Sequence, residues 1–269
     1  MGLAAGRLSR LPVVNASVRS APLALSRKDR ISRFLMRRAD LVVANSRAGL
    51  AAFGLEGRPD TVVIRNGVDP GRFSGIPVPP EPRWDVCMVG NFWANKDQAT
   101  LLEAFALVLG ERPGARLVLV GRDWGTLEPL RRLAARLSVD GRTDFVTDST
   151  DPLRLIASSR VCCLLSPDGE GISNALLEYM ALGRPVVATR CPGNEETVSE
   201  GVSALLVDND PEEVAGALLR LLGDPALCAG MGAAGLGRVM EHFSLDSMVE
   251  RFRVCLESVP GRGGAGGCP

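Results

Sequence analysis

Short runs of consecutive apolar and β-branched residues alternate along most of this chain with stretches whose apolar positions recur every three or four residues. From residue 84 onward the runs fall at 85–90, 116–121, 143–147, 161–166, 185–189 and 204–207. Between them lie helically spaced stretches such as 99–109 (Leu102, Phe105, Ala106, Leu109) and 127–137. Strands alternating with helices at this interval predict β-α-β units and a parallel sheet with right-handed crossovers. The runs are continuous rather than alternating, as expected when helices cover both faces. Six such strands predict a doubly wound sheet with its ligand crevice at the carboxyl ends of the strands.

The opening segment repeats the pattern on a smaller scale. Residues 11–16, 41–44 and 61–64 read as strands, 26–39 as a helix, and Asn66-Gly67 as a turn. Three strands are too few to bury their faces alone. Pro77, Pro79, Pro80 and Pro82 then forbid a helix and favour an extended linker. The predicted organisation is α/β: a partial Rossmann-like unit over 1–76, a linker over 77–83, and a complete doubly wound Rossmann-like domain over 84–243. A helix over 244–258 and a glycine-rich tail over 259–269 follow. With 269 residues and roughly 100–200 expected per domain, the chain reads as one whole domain plus the later portion of another.

Composition narrows the class. At 46% hydrophobic and 23% charged the chain is globular rather than disordered. No apolar run approaches the roughly 20 residues of a membrane-spanning helix. The seven cysteines form no Cys-x-x-Cys pair, so reduced core thiols are expected, with no zinc site and a cytoplasmic location. The formal net charge is zero, yet residues 1–50 hold ten basic side chains against two acidic ones. Such an end points toward an anionic surface or ligand. The near absence of aromatics among its arginines argues against nucleic acid, whose single strands need stacking faces.

The stretch 166–180, Ser-Pro-Asp-Gly-Glu-Gly-Ile-Ser-Asn-Ala-Leu-Leu-Glu-Tyr-Met, is richest in chemistry. A strand ends near Ser166 and a helix begins near Ser173 or Asn174, both good N-caps. Glu170 then sits in the loop and Glu178 one turn into the helix, near the carboxyl edge of the sheet. Backbone N–H groups of Gly171 to Asn174 can hold a phosphate there, while carboxylates accept from sugar hydroxyls. Spacing alone also allows Glu178 as a solvated helix residue and Glu170 as a loop charge.

Glu170 and Glu178 form a Glu-x7-Glu motif within EGISNALLEYMALGRPVVAT. This resembles the donor-site signature of the family-4 retaining glycosyltransferases, which have the GT-B fold of two facing Rossmann-like halves. ADLVVANSRAGL, VIRNGVDPGRF, VCMVGNFWANKDQATLLEAF, ARLVLVGRD, CPGNEETVSEGVSALLVDNDPEEVAGALL and MGAAGLGRVMEHFSLDSMVERF fall in the family's order. The resemblance covers about residues 10–257.

It implies a nucleotide-sugar donor as substrate, no cofactor, and a carbohydrate or lipid-linked acceptor, with sugar transferred with retention in bacterial polysaccharide or lipid-linked glycan assembly. Glu170 would contact hydroxyls of the transferred sugar and Glu178 the nucleotide's ribose. The amides of Gly171, Ile172 and Ser173, with Asn174 beside them, would face sugar and diphosphate. Lys96 would neutralise the departing diphosphate, and Gly90 would allow close backbone approach. Arg122, Val146 and Thr147 would lie beside the base.

Two departures from the family stand out. Asn91 occupies a position where many relatives have a phosphate-pairing arginine, and the family's early glycine-rich loop and site histidine have no counterpart. The second departure implies a shortened N-terminus, or else a non-catalytic nucleotide-sugar-binding fragment. His242, the single histidine, reads as structural. Asp208-Asn209-Asp210 resembles a metal motif, but Asp210, Pro211 and Glu213 make a helix start, so no metal ligands are expected. Asn15-Ala16-Ser17 matters as a sequon only in a secreted protein, and no Gly-x-Gly-x-x-Gly follows a strand.

In the helix over 26–39, Ile31, Phe34, Leu35 and Ala39 share one side. Lys28, Arg30, Arg33, Arg37 and Arg38 fill much of the rest. The stripe is expected to pack on its own sheet while the outward charges allow peripheral contact with an anionic membrane.

Overall fold

The structure is a computed structural model, and it describes residues 12–259. Two parallel sheets form. The first is built from β1 (Val14–Val18), β2 (Leu41–Ala44) and β3 (Thr61–Val63), in that spatial order. Helices α1 (Arg27–Met36) and α2 (Arg47–Ala52) connect its strands.

The second sheet has six strands: β4 (Trp84–Val89), β5 (Leu117–Gly121), β6 (Thr143–Thr147), β7 (Ser159–Leu164), β8 (Val186–Thr189) and β9 (Leu205–Val207). Their order is β6-β5-β4-β7-β8-β9, every pair parallel. The chain reverses its direction of winding between β4 and β7, so these two strands flank the switch point where ligands bind in doubly wound sheets.

Helices cover both faces of this sheet, which is why its strands are apolar throughout. On one face α3 (Gln98–Glu111), α4 (Leu127–Arg136) and α8 (Pro211–Gly223) bury Leu101, Phe105, Leu130 and Leu218 against Val86, Leu119 and Val161. On the other, α5 (Pro152–Ala157), α6 (Asn174–Ala181) and α9 (Pro225–His242) bury Ile156, Leu177, Met180 and Val239 against Cys87, Val118 and Leu164. The short helix α7 (Pro192–Thr197) follows β8.

The three-stranded sheet solves its shortage of cover with the end of the chain. Helix α10 (Leu245–Glu257) returns to it, packing Met248, Phe252 and Cys255 against Val14, Val43, Val62 and Ile64. Val68 and Ser244 bridge in parallel where the chain crosses back, and a Cβ on Gly67 would lie 2.6 Å from the Ser244 carbonyl oxygen. The opposite face of that sheet carries Val18, Met36, Ala39, Leu50 and Leu55. Residues 77–83 between the sheets hold no helix or strand.

Several expectations need correction. The first strand starts later than 11–16 suggested, at Val14, because Asp40 anchors the Val13 N–H from outside the ladder at 2.8 Å. Leu11, Arg7, Arg10 and residues 260–269 of the tail lie outside the described residues. The α1 stripe is not packed on its sheet: Ile31, Phe34 and Leu35 are 56%, 55% and 43% exposed, and only Met36 and Ala39 point inward. Helical periodicity reports a shared face but not what covers it.

The Asp-Asn-Asp segment is the helix start expected, with the Asp210 side chain accepting from the N–H groups of Glu212 and Glu213. The six described cysteines are unpaired, and burial pushes the Cys162 and Cys163 thiols up, keeping them protonated. No single helix among the described residues is long and apolar enough to cross a membrane.

Candidate donor site at the switch point

Strand β4 ends in a loop that turns tightly before α3, its turn closed by the Lys96 N–H donating to the Trp93 carbonyl at 2.9 Å. Buried Gln98 holds the strand end, donating from Nε2 to the carbonyls of Gly90 and Asn91 at 3.3 and 3.0 Å. The Lys96 side chain runs back over Gly90, where a Cβ would sit 3.3 Å from Lys96 Cγ. Gly90 leaves room for that side chain.

Across the switch point, the loop after β7 brings Glu170 to meet that lysine. Lys96 Nζ donates to Glu170 Oε1, and Ser166 Oγ donates to the same oxygen at 2.7 Å. Ser166 is tied further back. Its N–H donates to Thr189 Oγ1 at 3.0 Å, Thr189 donates to Asn209 Oδ1 at 3.2 Å, and Asn209 Nδ2 donates to Asp97 Oδ2 at 2.5 Å. Asp97 caps α3 through the Thr100 N–H. The ends of β4, β7, β8 and β9 are therefore laced by one hydrogen-bonded chain that fixes the lysine and the glutamate relative to each other.

Helix α6 begins at Asn174 with Ser173 in the N-cap position. Against expectation, the Ser173 side chain makes no cap hydrogen bond. The N–H groups of Gly171, Ile172, Ser173 and Asn174 donate to no other group among the described residues. An uncapped helix start with open donors beside a lysine has the chemistry to hold an anion.

The first sheet closes over this loop. Asn66 Nδ2 donates to the Ile172 carbonyl and to Asn174 Oδ1, at 2.9 and 2.8 Å, and Asn45 Nδ2 donates to the Ile172 carbonyl at 3.2 Å. Glu196 of α7 accepts from the N–H groups of Arg47 and Ala48 at the start of α2. A cavity of about 350 Å³ remains between the sheets, lined by Arg19, Asn45, Asn66, Glu170, Ser173 and Asn174 among others.

Glu178 faces the first unit, with Arg72 Nη2 3.6 Å from its Oε1. Burial pushes its carboxyl above the ordinary glutamate range, and Arg72 pulls it part of the way back. The folded chain thus holds this proton to higher pH than the unfolded chain. Its contribution to stability is full below the ordinary glutamate value of about 4.3 and is lost as pH rises through the raised one. Arg72→Ala should move the Glu178 titration further up, followed by carboxyl NMR. An unmoved titration would contradict the pairing.

The remaining expected residues form a separate group. Val146 and Thr147 end β6, level with Val120 and Gly121 of β5. Arg122 is exposed, with Nε 3.7 Å from Asp148 Oδ1, and its N–H reaches Asn91 Oδ1 at 3.4 Å. None of Arg122, Val146 and Thr147 lines the cavity that Glu170 lines. Gly121 was not singled out in the sequence, yet a Cβ there would strike the Gly90 carbonyl, its carbon 2.7 Å away. Ser166, Asn209, Arg19, Asn45, Asn66 and Arg72 were likewise missed. The dipeptides Asn45-Ser46 before a helix and Asn66-Gly67 at a turn offered the local signals. Among the described residues, no three His, Cys, Asp or Glu side chains converge as a metal site would require.

Two parallel α/β units with a shared cavity at the strand ends, joined by a returning C-terminal helix, define the GT-B class. Residues 83–224, more than half of the chain, match the family described as Glycosyl transferases group 1, and the chain belongs to that family.

It is 32% identical over 173 residues to a GDP-mannose-dependent phosphatidylinositol monomannoside mannosyltransferase of Corynebacterium glutamicum, covering 62% of this chain and 45% of that protein. It is 31% identical over 176 residues to the lipopolysaccharide core biosynthesis glycosyltransferase LpsE of Rhizobium meliloti, covering 65% and 50%. The chain thus spans about half the length of these relatives. The crystal structure of Anabaena Alr3699/HepE in complex with UDP-glucose superposes with a TM-score of 0.84 at 24% identity, covering 96% of this chain and 75% of that one.

Proposed function

We propose that this chain carries the donor site of a retaining, metal-independent glycosyltransferase. It would move a hexosyl or related sugar from a nucleotide-sugar to a hydroxyl of a carbohydrate or lipid-linked acceptor. The observation that carries the reading is the Lys96–Glu170–Ser166 cluster beside the open N–H groups of Gly171 to Asn174, at the switch point of the six-stranded sheet.

In this reading the open N–H groups and Lys96 take up the negative charge that grows on the diphosphate as the glycosidic bond breaks. That charge compensation is what a divalent cation would otherwise supply. Glu170 accepts from the sugar's hydroxyls and Glu178 from the ribose. The incoming hydroxyl approaches from the side of the first sheet, on the same face as the departing phosphate, whose oxygen takes the hydroxyl's proton. That front-face geometry preserves the anomeric configuration. Relatives named for phosphatidylinositol mannoside and lipopolysaccharide core synthesis support an acceptor from bacterial lipid-linked glycan or polysaccharide assembly.

Calorimetric titration with UDP and GDP tests the donor site. One of the two should bind, with heat lost in the Glu178→Ala chain. Binding to neither, nor to another nucleoside diphosphate, would contradict the reading.

The exposed side of α1 supports a peripheral position on the cytoplasmic face of a membrane. Ile31, Phe34 and Leu35 stand out from the surface, flanked by exposed Arg27, Lys28, Arg30, Arg37 and Arg38, with the Arg38 guanidinium 3.5 Å over the Phe34 ring. An apolar ridge bordered by cations fits an anionic lipid surface, where each basic residue contributes about 1 kcal/mol. Sedimentation with anionic vesicles should fall with added salt and with Lys28, Arg30 and Arg38 replaced by alanine. Binding insensitive to both would refute it.

A further inference from the structure

The charges of the cavity between the sheets do not balance its chemistry. Lys96 is already held by Glu170, so the cluster offers little net positive charge before a ligand arrives. Asn91 stands where the family resemblance calls for an arginine, and its side chain is engaged with the Arg122 N–H. Yet the cavity lined by Glu170 is also lined by a cation, Arg19, just beyond the end of β1. Arg19 is exposed, and its guanidinium joins none of the salt bridges among the described residues. It lines the same cavity as Ser173 and Asn174 at the uncapped start of α6, and its backbone carbonyl oxygen lies 2.8 Å from where a Cβ on Gly171 would be.

A second polar group in the same cavity also lacks a partner. Asn45 is 7% exposed, and its Oδ1 is buried with no hydrogen bond. That oxygen lies close to the donor loop, 2.5 Å from where a Cβ on Gly171 would be. A buried acceptor left alone is costly and calls for a donor. An unpaired arginine that shares a cavity with open helix N–H groups calls for an anion. A ligand presenting a phosphoryl group and a nearby hydroxyl satisfies both, and a sugar phosphate is such a ligand.

We infer that Arg19 binds a phosphoryl group in this cavity, supplying from the first sheet the charge that Asn91 does not supply from the second. Asn45 Oδ1 accepts from a hydroxyl of the same ligand. The inference rests on the nucleotide-sugar reading for its ligand class. The phosphoryl chemistry is the same whether it belongs to the donor's diphosphate or to a phosphate on the acceptor, and the test separates these sources.

UDP, GDP and, separately, glycerol 3-phosphate are titrated into the intact chain and into Arg19→Ala, Arg19→Lys and Arg19→Ala/Asn91→Arg. If the donor supplies the group, Arg19→Ala weakens nucleoside diphosphate binding about 10- to 100-fold. Lysine recovers part of the loss, as a point charge without the planar fork, and Asn91→Arg recovers more by returning the charge from the other side. The thermal midpoint stays unchanged, because the guanidinium joins no salt bridge among the described residues. If the acceptor supplies the group, only the glycerol 3-phosphate affinity falls. Unchanged affinity for all three ligands in Arg19→Ala overturns the inference. Failure of the wild-type chain to bind any nucleoside diphosphate overturns the donor reading instead, and the glycerol 3-phosphate arm still judges Arg19.

Discussion

Lys96→Ala is expected to reduce sugar transfer about 10²- to 10³-fold, the loss typical of removing one donor aimed at developing negative charge. The loss should appear in kcat more than in KM, since the charge on the diphosphate grows as the bond to the sugar breaks. The lysine's position makes this specific. It runs over Gly90 and meets Glu170 and Ser166 from the far side of the switch point, so no neighbouring side chain can replace it. Removing it also frees Glu170 Oε1, which keeps only the Ser166 hydroxyl. Glu170→Gln retains that hydrogen bond but loses the ion pair, and should lower transfer while leaving nucleoside diphosphate affinity closer to wild type. Under the proposed function, release of nucleoside diphosphate from a nucleotide-sugar measures both. Equal rates in wild type and Lys96→Ala would remove the lysine from the mechanism.

Gly193→Ala should be the most damaging small substitution in the second sheet's surroundings. A Cβ there would run into the Glu170 carbonyl oxygen and lie 2.6 Å from both the Glu170 carbonyl carbon and the Gly171 oxygen. All three are backbone atoms and cannot turn aside, so either α7 or the loop bearing Glu170 must shift. Overpacking of this kind costs about 1–3 kcal/mol, and the displaced loop should also lose ligand affinity. Gly216→Ala in α8 is the matched control. Nothing lies within 4 Å of its Cβ position, so it should be neutral or stabilising by up to about 1 kcal/mol. Thermal unfolding and nucleoside diphosphate titration of the two variants test this together. A Gly193→Ala chain as stable and as competent as Gly216→Ala would contradict the packing described.

The six-stranded sheet was legible because its strands are buried on both faces and announce themselves as unbroken apolar runs. Strand β6 matches 143–147 residue for residue. The three-stranded sheet was legible as strands but not as a packed unit, since its second layer is α10, contributed from nearly two hundred residues away. Helix α1 shows the limit of periodicity: the stripe is real, and Phe34 is still exposed.

At the candidate site, the two carboxylates and the lysine could be placed from strand-end logic and the family resemblance. Their supports could not. Ser166, Thr189, Asn209 and Asp97 meet only because four strand ends converge, and Asn45 and Asn66 reach Ile172 across 127 and 106 residues of chain. Ser173 looked like a cap, but its hydroxyl leaves the α6 donors open. Local residue type cannot distinguish a capped helix start from one kept free for an anion.

In the proposed function the open N–H groups at the start of α6 hold a diphosphate beside Lys96. Amide hydrogen exchange of the intact chain, with and without the UDP or GDP that binds, measures it most directly. Gly171, Ile172, Ser173 and Asn174 are expected to become protected on binding. Protection confined instead to the cavity at the opposite edge of the sheet, around Arg160 and Arg184, with those four amides exchanging as before, would contradict it.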